Sequence, residues 1–381
     1  MLLAMNLRSP LTAVPPVLES MRADLALGPA LCGLLTSIPV LCFGLLTPLA
    51  AWVIGWLGIQ RSIYLTLGGA ALGLMIRPFA GVPGLLAGTL LIGAALAVGN
   101  IVSLMVIARD FMARRHGVTG LYTTAINLGT MLTSSLTAPM ALWWGWQGAL
   151  LAWVWLPLLA WALWWWVGRH DADRPVPSQS VAQSARESGW LRRPLVWLLA
   201  LAFVIHLFLY YALTAWLPSY LMQAADMSAT RAGLVAASFQ ILSLLGAFGV
   251  PWLAHRVRLP WLLALMGLMW VLALLGLLLF PTHWAGWSLL GGIAQGGCFV
   301  VIFMLIMTHA QDLDDNRRIN ALVQGCGYSL ASLGPVVLGQ LHAVSGRWQP
   351  GWLLLLGMAL VLVATGLVSS RLSAESSSKT A

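Results

Sequence analysis

Trp261–Phe280 reads WLLALMGLMWVLALLGLLLF, 20 residues with no charge, no proline and no polar group beyond the indole N–H. As an α-helix such a run is about 30 Å long, the thickness of a bilayer's hydrocarbon core. Runs of this kind recur along the whole chain. Of its 381 residues, 60% are hydrophobic and 8% charged, whereas a soluble domain carries about 25% charged residues. No soluble core could enclose that much apolar surface. Strands that cross a bilayer alternate polar and apolar side chains, and these runs do not, so the spans are helices.

Outward from that run, prolines, glycines and charges divide the chain into twelve spans. They cover 1–20, 28–54, 61–79, 82–108, 117–139, 147–168, 193–217, 229–253, 260–280, 284–308, 319–342 and 350–371. One long polar stretch, carrying Pro175, Pro177, Ser178 and Ser180, reads as a linker. The expected architecture is an all-α integral membrane protein built as two pseudo-symmetric six-helix bundles. The first takes 1–168 and the second 193–371, joined by a cytoplasmic linker over 169–192 and followed by a cytoplasmic tail over 372–381.

Charge placement predicts the orientation. With both termini cytoplasmic, the inner loops and tail hold fifteen Lys and Arg residues, among them Arg61, Arg109, Arg193, Arg256 and Lys379. The outer loops hold four, Arg22, Arg77, Arg231 and Arg347. That asymmetry follows the positive-inside rule and fits a multi-pass protein of the inner membrane. The formal net charge of +9 is then mostly topology, and nucleic acid is not an expected partner.

The two halves echo each other. Pro16 and Pro218 are expected to end the first helix of each half, each four residues after a threonine, Thr12 and Thr214; Cys32-Gly33-Leu34 recurs as Ala232-Gly233-Leu234, and Gly93 and Gly99 match Gly291 and Gly297. The offsets all lie near 200 residues, as a duplicated six-helix unit requires. Spans six, nine and twelve carry little beyond aliphatic residues, Gly and Trp, which suits lipid-facing helices. Other spans carry Asn6, Arg8, Thr12, Asn100, Tyr122, Asn127, His206, Tyr210, Gln240, Gln295, Gln324 and Tyr328. Polar groups at that depth must satisfy one another or meet water, so these helices are expected to surround a hydrated cavity.

Only Arg8 reads as a charge inside a span, in Asn6-Leu7-Arg8-Ser9-Pro10-Leu11-Thr12. An ionised group there is a functional candidate, and its sign points to an anion or a strongly polarised neutral molecule. The alternative is a long cationic side chain that snorkels to the inner surface.

Twelve helices in two similar halves resemble the major facilitator superfamily, and within it the cyanate porter family. The matching residues are Asn6-Leu7-Arg8 with Thr12 and Pro16, Gly99-Asn100, Gly145-Trp146-Gln147-Gly148-Ala149-Leu150 and Tyr210-Tyr211 with Trp216-Leu217-Pro218. Gln324 with Gly327-Tyr328, Gly334-Pro335, Gly339 and His342 complete the set. The resemblance implies a secondary transporter of a cyanate-like anion or a nitroimidazole-like heteroaromatic. It implies substrate binding by Arg8, Asn6, Thr12, Asn100, Tyr210, Gln324 and Tyr328; His206, which stands where the nitroimidazole-exporting relatives have an asparagine, is added as a candidate from its place on the Tyr210 face. The chain departs from the superfamily between spans two and three, where Gly55 replaces the usual acidic residue while Gly58 and Arg61 remain. Only seven residues precede Arg8, about 10 Å of helix, so the first helix is expected to be short at that end or to start upstream of Met1.

Each candidate also has a packing interpretation. Asn6 either orients the guanidinium or bridges helices. His206, four residues before Tyr210, either meets substrate and carries a proton or is a neutral interior histidine. Gln324 and Tyr328 share a helix face, and Gly325, Gly327 and Gly334 around them also suit tight helix packing. The tryptophans cluster at span ends and read mainly as interfacial anchors, Trp216 included, with a gate at the outer mouth as the alternative for Trp216. Cys32, Cys42, Cys298 and Cys326 all lie within spans, at no metal-binding spacing. All eleven acidic residues fall in loops, tails or helix ends, so neither an enzyme's acid–base cluster nor a buried proton-carrying carboxylate is expected. No cofactor or metal is expected, and the protein is expected to act as a monomer on a small-molecule substrate in the lipid bilayer. A multidrug-type efflux pump for neutral compounds is the alternative.

Overall fold

The computed structural model describes residues 1–110, 115–168, 191–311 and 313–380. All its regular elements are helical: α1 Leu2–Asn6, α2 Ser9–Thr12, a 3₁₀ turn at Pro15–Val17, α3 Leu18–Leu25, α4 Pro29–Leu45, α5 Thr47–Ile76, α6 Gly81–Asp110, α7 Arg115–Ala152 and α8 Trp155–Gly168. After the linker come α9 Pro194–Ala224, α10 Ala229–Leu253, α11 Leu259–Leu279, α12 Trp284–His309, α13 Leu313–Ala331, α14 Leu333–Ser345 and α15 Gln349–Thr380. The expected linker over 169–192 lies outside the described residues apart from Leu191 and Arg192.

Among the described residues, nine helical stretches are individually long and apolar enough to cross a bilayer. The fold nevertheless has twelve spans, because three junctions hide the others. The first span is broken into α1, α2, the 3₁₀ turn and α3. The second is α4 continued into the start of α5, with an interruption at Leu46. The fifth and sixth run together through Gly145.

Two expected loops are single residues. Inside α5, Gly58 has φ 78° and ψ 170°, and inside α7, Gly145 has φ 66° and ψ 172°. Only glycine enters that region without strain. The sequence leaves gaps of several residues at both places, and the structure closes each with one glycine. Exposed tryptophans precede both turns: Trp52 and Trp56 before Gly58, and Trp143 and Trp144 before Gly145.

The duplication is also visible in the backbone. Ala26 and Asp226, 200 residues apart, both have φ 50° where the first helix of each half ends. Two sequence expectations fail beside them. Neither Pro16 nor Pro218 ends its helix, since α3 continues to Leu25 and α9 runs through Pro218 to Ala224. A proline removes one rung of the ladder, and in an apolar span the next turn resumes because its backbone groups have no water to bond.

Contacts divide the chain into two compact units. One is Met1–Ser180 with Thr214–Ala237, and the other is Val181–Leu213 with Ser238–Ala381. In the first, α5 and α6 approach through glycines: a Cβ on Gly73 would fall 2.6 Å from Ile92 Cγ1, and one on Gly69 2.8 Å from Ala95 Cβ. In the second, a Cβ on Gly292 would fall 2.7 Å from Leu242 Cβ, bringing α12 against α10. Between membrane helices, van der Waals packing replaces the hydrophobic drive of water, and small residues permit it.

Candidate functional site

Arg8 stands in a gap in the first helix. Pro10 has no N–H to give the Asn6 carbonyl, so α1 stops at Asn6 and α2 begins only at Ser9, with Arg8 at φ −128° between them. Its carbonyl takes over the local bonding, accepting from the Leu11 and Thr12 amides at 3.0 and 3.2 Å and from Thr12 Oγ1 at 3.2 Å. The Arg8 side chain is half-buried.

Neighbouring candidates divide by exposure. Asn6 is fully buried, and its amide donates to the Leu2 carbonyl at 2.8 Å and to the Leu156 carbonyl of α8 at 3.4 Å. Its Oδ1 has no hydrogen-bond partner among the described residues. Thr12 is buried too, with its hydroxyl 2.7 Å from Thr133 Oγ1 on α7. Asn100 is half-buried on α6 beside Gly99. A Cβ on Gly99 would lie 2.9 Å from Leu7 Cδ2, so α6 comes directly against the gap. On the other side, a Cβ on Gly129 of α7 would lie 2.6 Å from Ser9 Oγ. Helix one is thus held between two glycine-lined faces, and Arg8 and Asn100 are the partly accessible polar groups of this set.

The expectation that Arg8 is the sole charge within the spans needs correction. Arg77, assigned above to an outer loop, is 1% exposed at the end of α5. Its Nη1 donates to the Pro10 carbonyl at 2.8 Å and its Nε to Thr89 Oγ1 at 3.2 Å. Sequence reading missed it because Ile76-Arg77-Pro78 looks like a span end. The available signal was the lack of any polar residue between Arg77 and Thr89.

In the second unit, α9 is continuous and its polar groups are enclosed. His206 is fully buried, its ring 6.4 Å from both Phe203 and Trp270. Tyr210 is 1% exposed, packs its ring 4.8 Å from Tyr211, and donates its hydroxyl to Gln240 Oε1 at 3.3 Å. Gln324 and Tyr328, one turn apart on α13, are half-buried. Phe203 brings Tyr328 to 6.0 Å, Phe299 to 5.8 Å and Phe303 to 5.5 Å, centroid to centroid. A Cβ on Gly327 would collide with the Phe203 ring, so α13 needs glycine there. The half-buried Phe299 and Phe303 of α12 were not singled out from sequence, because phenylalanine in an apolar helix carries no signal of its own.

Trp216 is 1% exposed, so it is an interior side chain and not an interfacial anchor. Outside the spans, Asp315 accepts from Arg193 Nη1 at 2.7 Å and from the Gln311 amide at 2.9 Å. Burial pushes its carboxyl up, but the Gln311 amide and the Arg193 and Arg318 guanidiniums outweigh this and hold it below the usual aspartate value. Among the described residues no group of three His, Cys, Asp or Glu is placed to hold a metal.

Twelve spans in a duplicated arrangement, with polar side chains carried on interior faces, define a multi-pass membrane transporter. The chain belongs to the Major Facilitator Superfamily, whose sequence profile matches residues 2–335. It is 30% identical to the 2-nitroimidazole transporter of Escherichia coli (strain K12) over 97% of this chain and 94% of that protein. It is 27% identical to the cyanate transport protein CynX of the same organism over 92% and 91%. Among solved structures, the nucleoside transporter NupG has the same fold, with a TM-score of 0.79 at 12% identity, over 96% of this chain and 98% of that one.

Proposed function

We propose that this chain is a secondary active transporter that moves a small anion or small polar heteroaromatic, cyanate-like or nitroimidazole-like, across the inner membrane. In this reading a bundle over 1–168 and one over 193–371 rock against each other in alternating access. Both termini and the linker over 169–192 are cytoplasmic, and the protein works as a monomer. The observation that carries the proposal is the half-buried Arg8 in the gap of the first helix. A guanidinium offers a fixed fork of donors to a carboxylate-like, nitro or cyanate group. Asn6 and Thr12 support the gap through their backbone and Thr133 bonds, and His206, Tyr210, Gln324 and Tyr328 form the polar contribution of the second half.

The ring cluster favours a second reading. Phe299, Phe303 and Tyr328 are half-buried around Phe203, and ring faces suit a planar neutral substrate. A multidrug-type exporter of neutral heteroaromatics would depend on these rings more than on Arg8. Thermal-shift titration of purified wild type and Arg8→Ala with cyanate, nitrite and 2-nitroimidazole separates the two. Loss of stabilisation by the anions in Arg8→Ala supports the charge-selective site. Equal stabilisation of both proteins by every compound removes Arg8 from binding.

A further inference from the structure

Arg77 is buried as completely as any aliphatic residue of the core, yet an arginine stays ionised in a protein. It belongs to none of the ion pairs among the described residues. Two neutral oxygens bond it, and its Nη2 has no hydrogen-bond partner there. A charge so placed is costly. A surface role does not explain that cost, because the side chain does not reach the surface.

The backbone of helix one supplies an explanation. In an unbroken helix the Pro10 carbonyl would accept the Val14 amide. Here Val14 donates instead to Leu11 at 3.4 Å, and Pro15 and Pro16 have no N–H to offer. The Pro10 carbonyl is left without a donor from its own helix, and Arg77 Nη1 takes that place at 2.8 Å. Room for this reach is built in. A Cβ on Gly88 would fall 2.7 Å from the Arg77 amide nitrogen, so α6 presses on the end of α5 and delivers Thr89 to Nε.

We propose that Arg77 is a positioning residue for transport: it clamps the segment two residues beyond Arg8 and thereby fixes how the Arg8 side chain leaves the gap. This rests on the reading of Arg8 as a substrate contact. It predicts that the clamp can be loosened without removing any group that touches substrate.

The test uses the full chain in proteoliposomes and nanodiscs, with Arg77→Met, Arg77→Lys and the milder Thr89→Val. Hydrogen exchange over residues 7–17 reads the clamp with no substrate present, while KM and kcat for cyanate and 2-nitroimidazole read its consequence. Arg77→Met is expected to speed exchange in that segment about tenfold or more, the equivalent of losing one charged hydrogen bond. It should raise KM by a similar factor with a smaller change in kcat. Arg77→Lys should recover part of the KM, and Thr89→Val should shift both in the same direction by less. Unchanged exchange in monodisperse Arg77→Met and Thr89→Val proteins overturns the clamp. Faster exchange with unaltered KM, where Arg8→Ala does raise KM, overturns positioning but leaves the Arg8 reading standing. If Arg8→Ala also leaves KM unaltered, the Arg8 reading fails, and the positioning role fails with it.

Discussion

Helix one and α9 occupy equivalent places in the duplicated chain, with Thr12 and Pro16 matching Thr214 and Pro218, yet one lies in four pieces and the other runs unbroken for 31 residues. The cause is proline placement. Pro10, Pro15 and Pro16 remove successive donors from helix one, while α9 has Pro218 alone in its interior. In helix one the Pro10 carbonyl lacks its own helical donor, and Arg77 marks where bonding has left the ladder. In α9 only the rung at Pro218 is missing, and His206 and Tyr210 pack against rings and Gln240. Duplication kept the span and changed where its hydrogen bonds are spent.

The sharpest way to break this contrast is Arg8→Ala. It should weaken cyanate or nitrite binding about tenfold or more, as removal of a charge-assisted contact does, with isothermal titration or thermal shift as the readout. Next is Pro10→Ala, which returns an N–H to the Asn6 carbonyl. Stability should rise by on the order of 1 kcal/mol, read as a higher thermal midpoint, while anion uptake falls as the gap closes. A rise in both would show that the gap is incidental.

Tyr210→Phe tests the intact helix. It removes one neutral hydrogen bond to Gln240, so denaturant unfolding should show a loss of about 1 kcal/mol, smaller than the effect at Arg8. Asp315 gives the smallest effect. Its carboxyl is held below the ordinary value, so its contribution is present above the unfolded pKa and is lost as pH falls through the lower folded one. The Asp315 contribution should therefore be flat from pH 8 to about 5 and decline only below the ordinary aspartate range near 4. Asp315→Asn should cost about 0.5 kcal/mol at neutral pH, since Arg193 is partly exposed, and should flatten that acid limb.

Much of this architecture is legible from residues alone. Helix α10 ends exactly where punctuation places it, at 229 and 253, because Ser228 and the polar run after Leu253 flank an apolar stretch. The resemblance carried by Asn6-Leu7-Arg8 and Gly145-Trp146-Gln147 led to the right family. What sequence could not supply was mostly geometry between distant segments. Arg77 sits at a span end in one dimension and against Pro10 in three. The glycine turns looked like loops because one residue at φ near 70° leaves no compositional trace beyond the glycine itself. Trp146 and Gln147, noted only as a motif, both donate to Asp24 Oδ2, at 2.9 and 3.0 Å.

Those turns have a consequence for the surrounding lipid. With Gly58 or Gly145 as the whole connection, neighbouring spans have no slack with which to slide past each other. The exposed tryptophans just before each turn hold it at the level of the headgroups. A bilayer of the wrong thickness cannot then be absorbed by paying out loop. The spans must tilt, or the acyl chains must stretch or compress around them, and the membrane becomes a mechanical load on α7, the helix that carries Thr133.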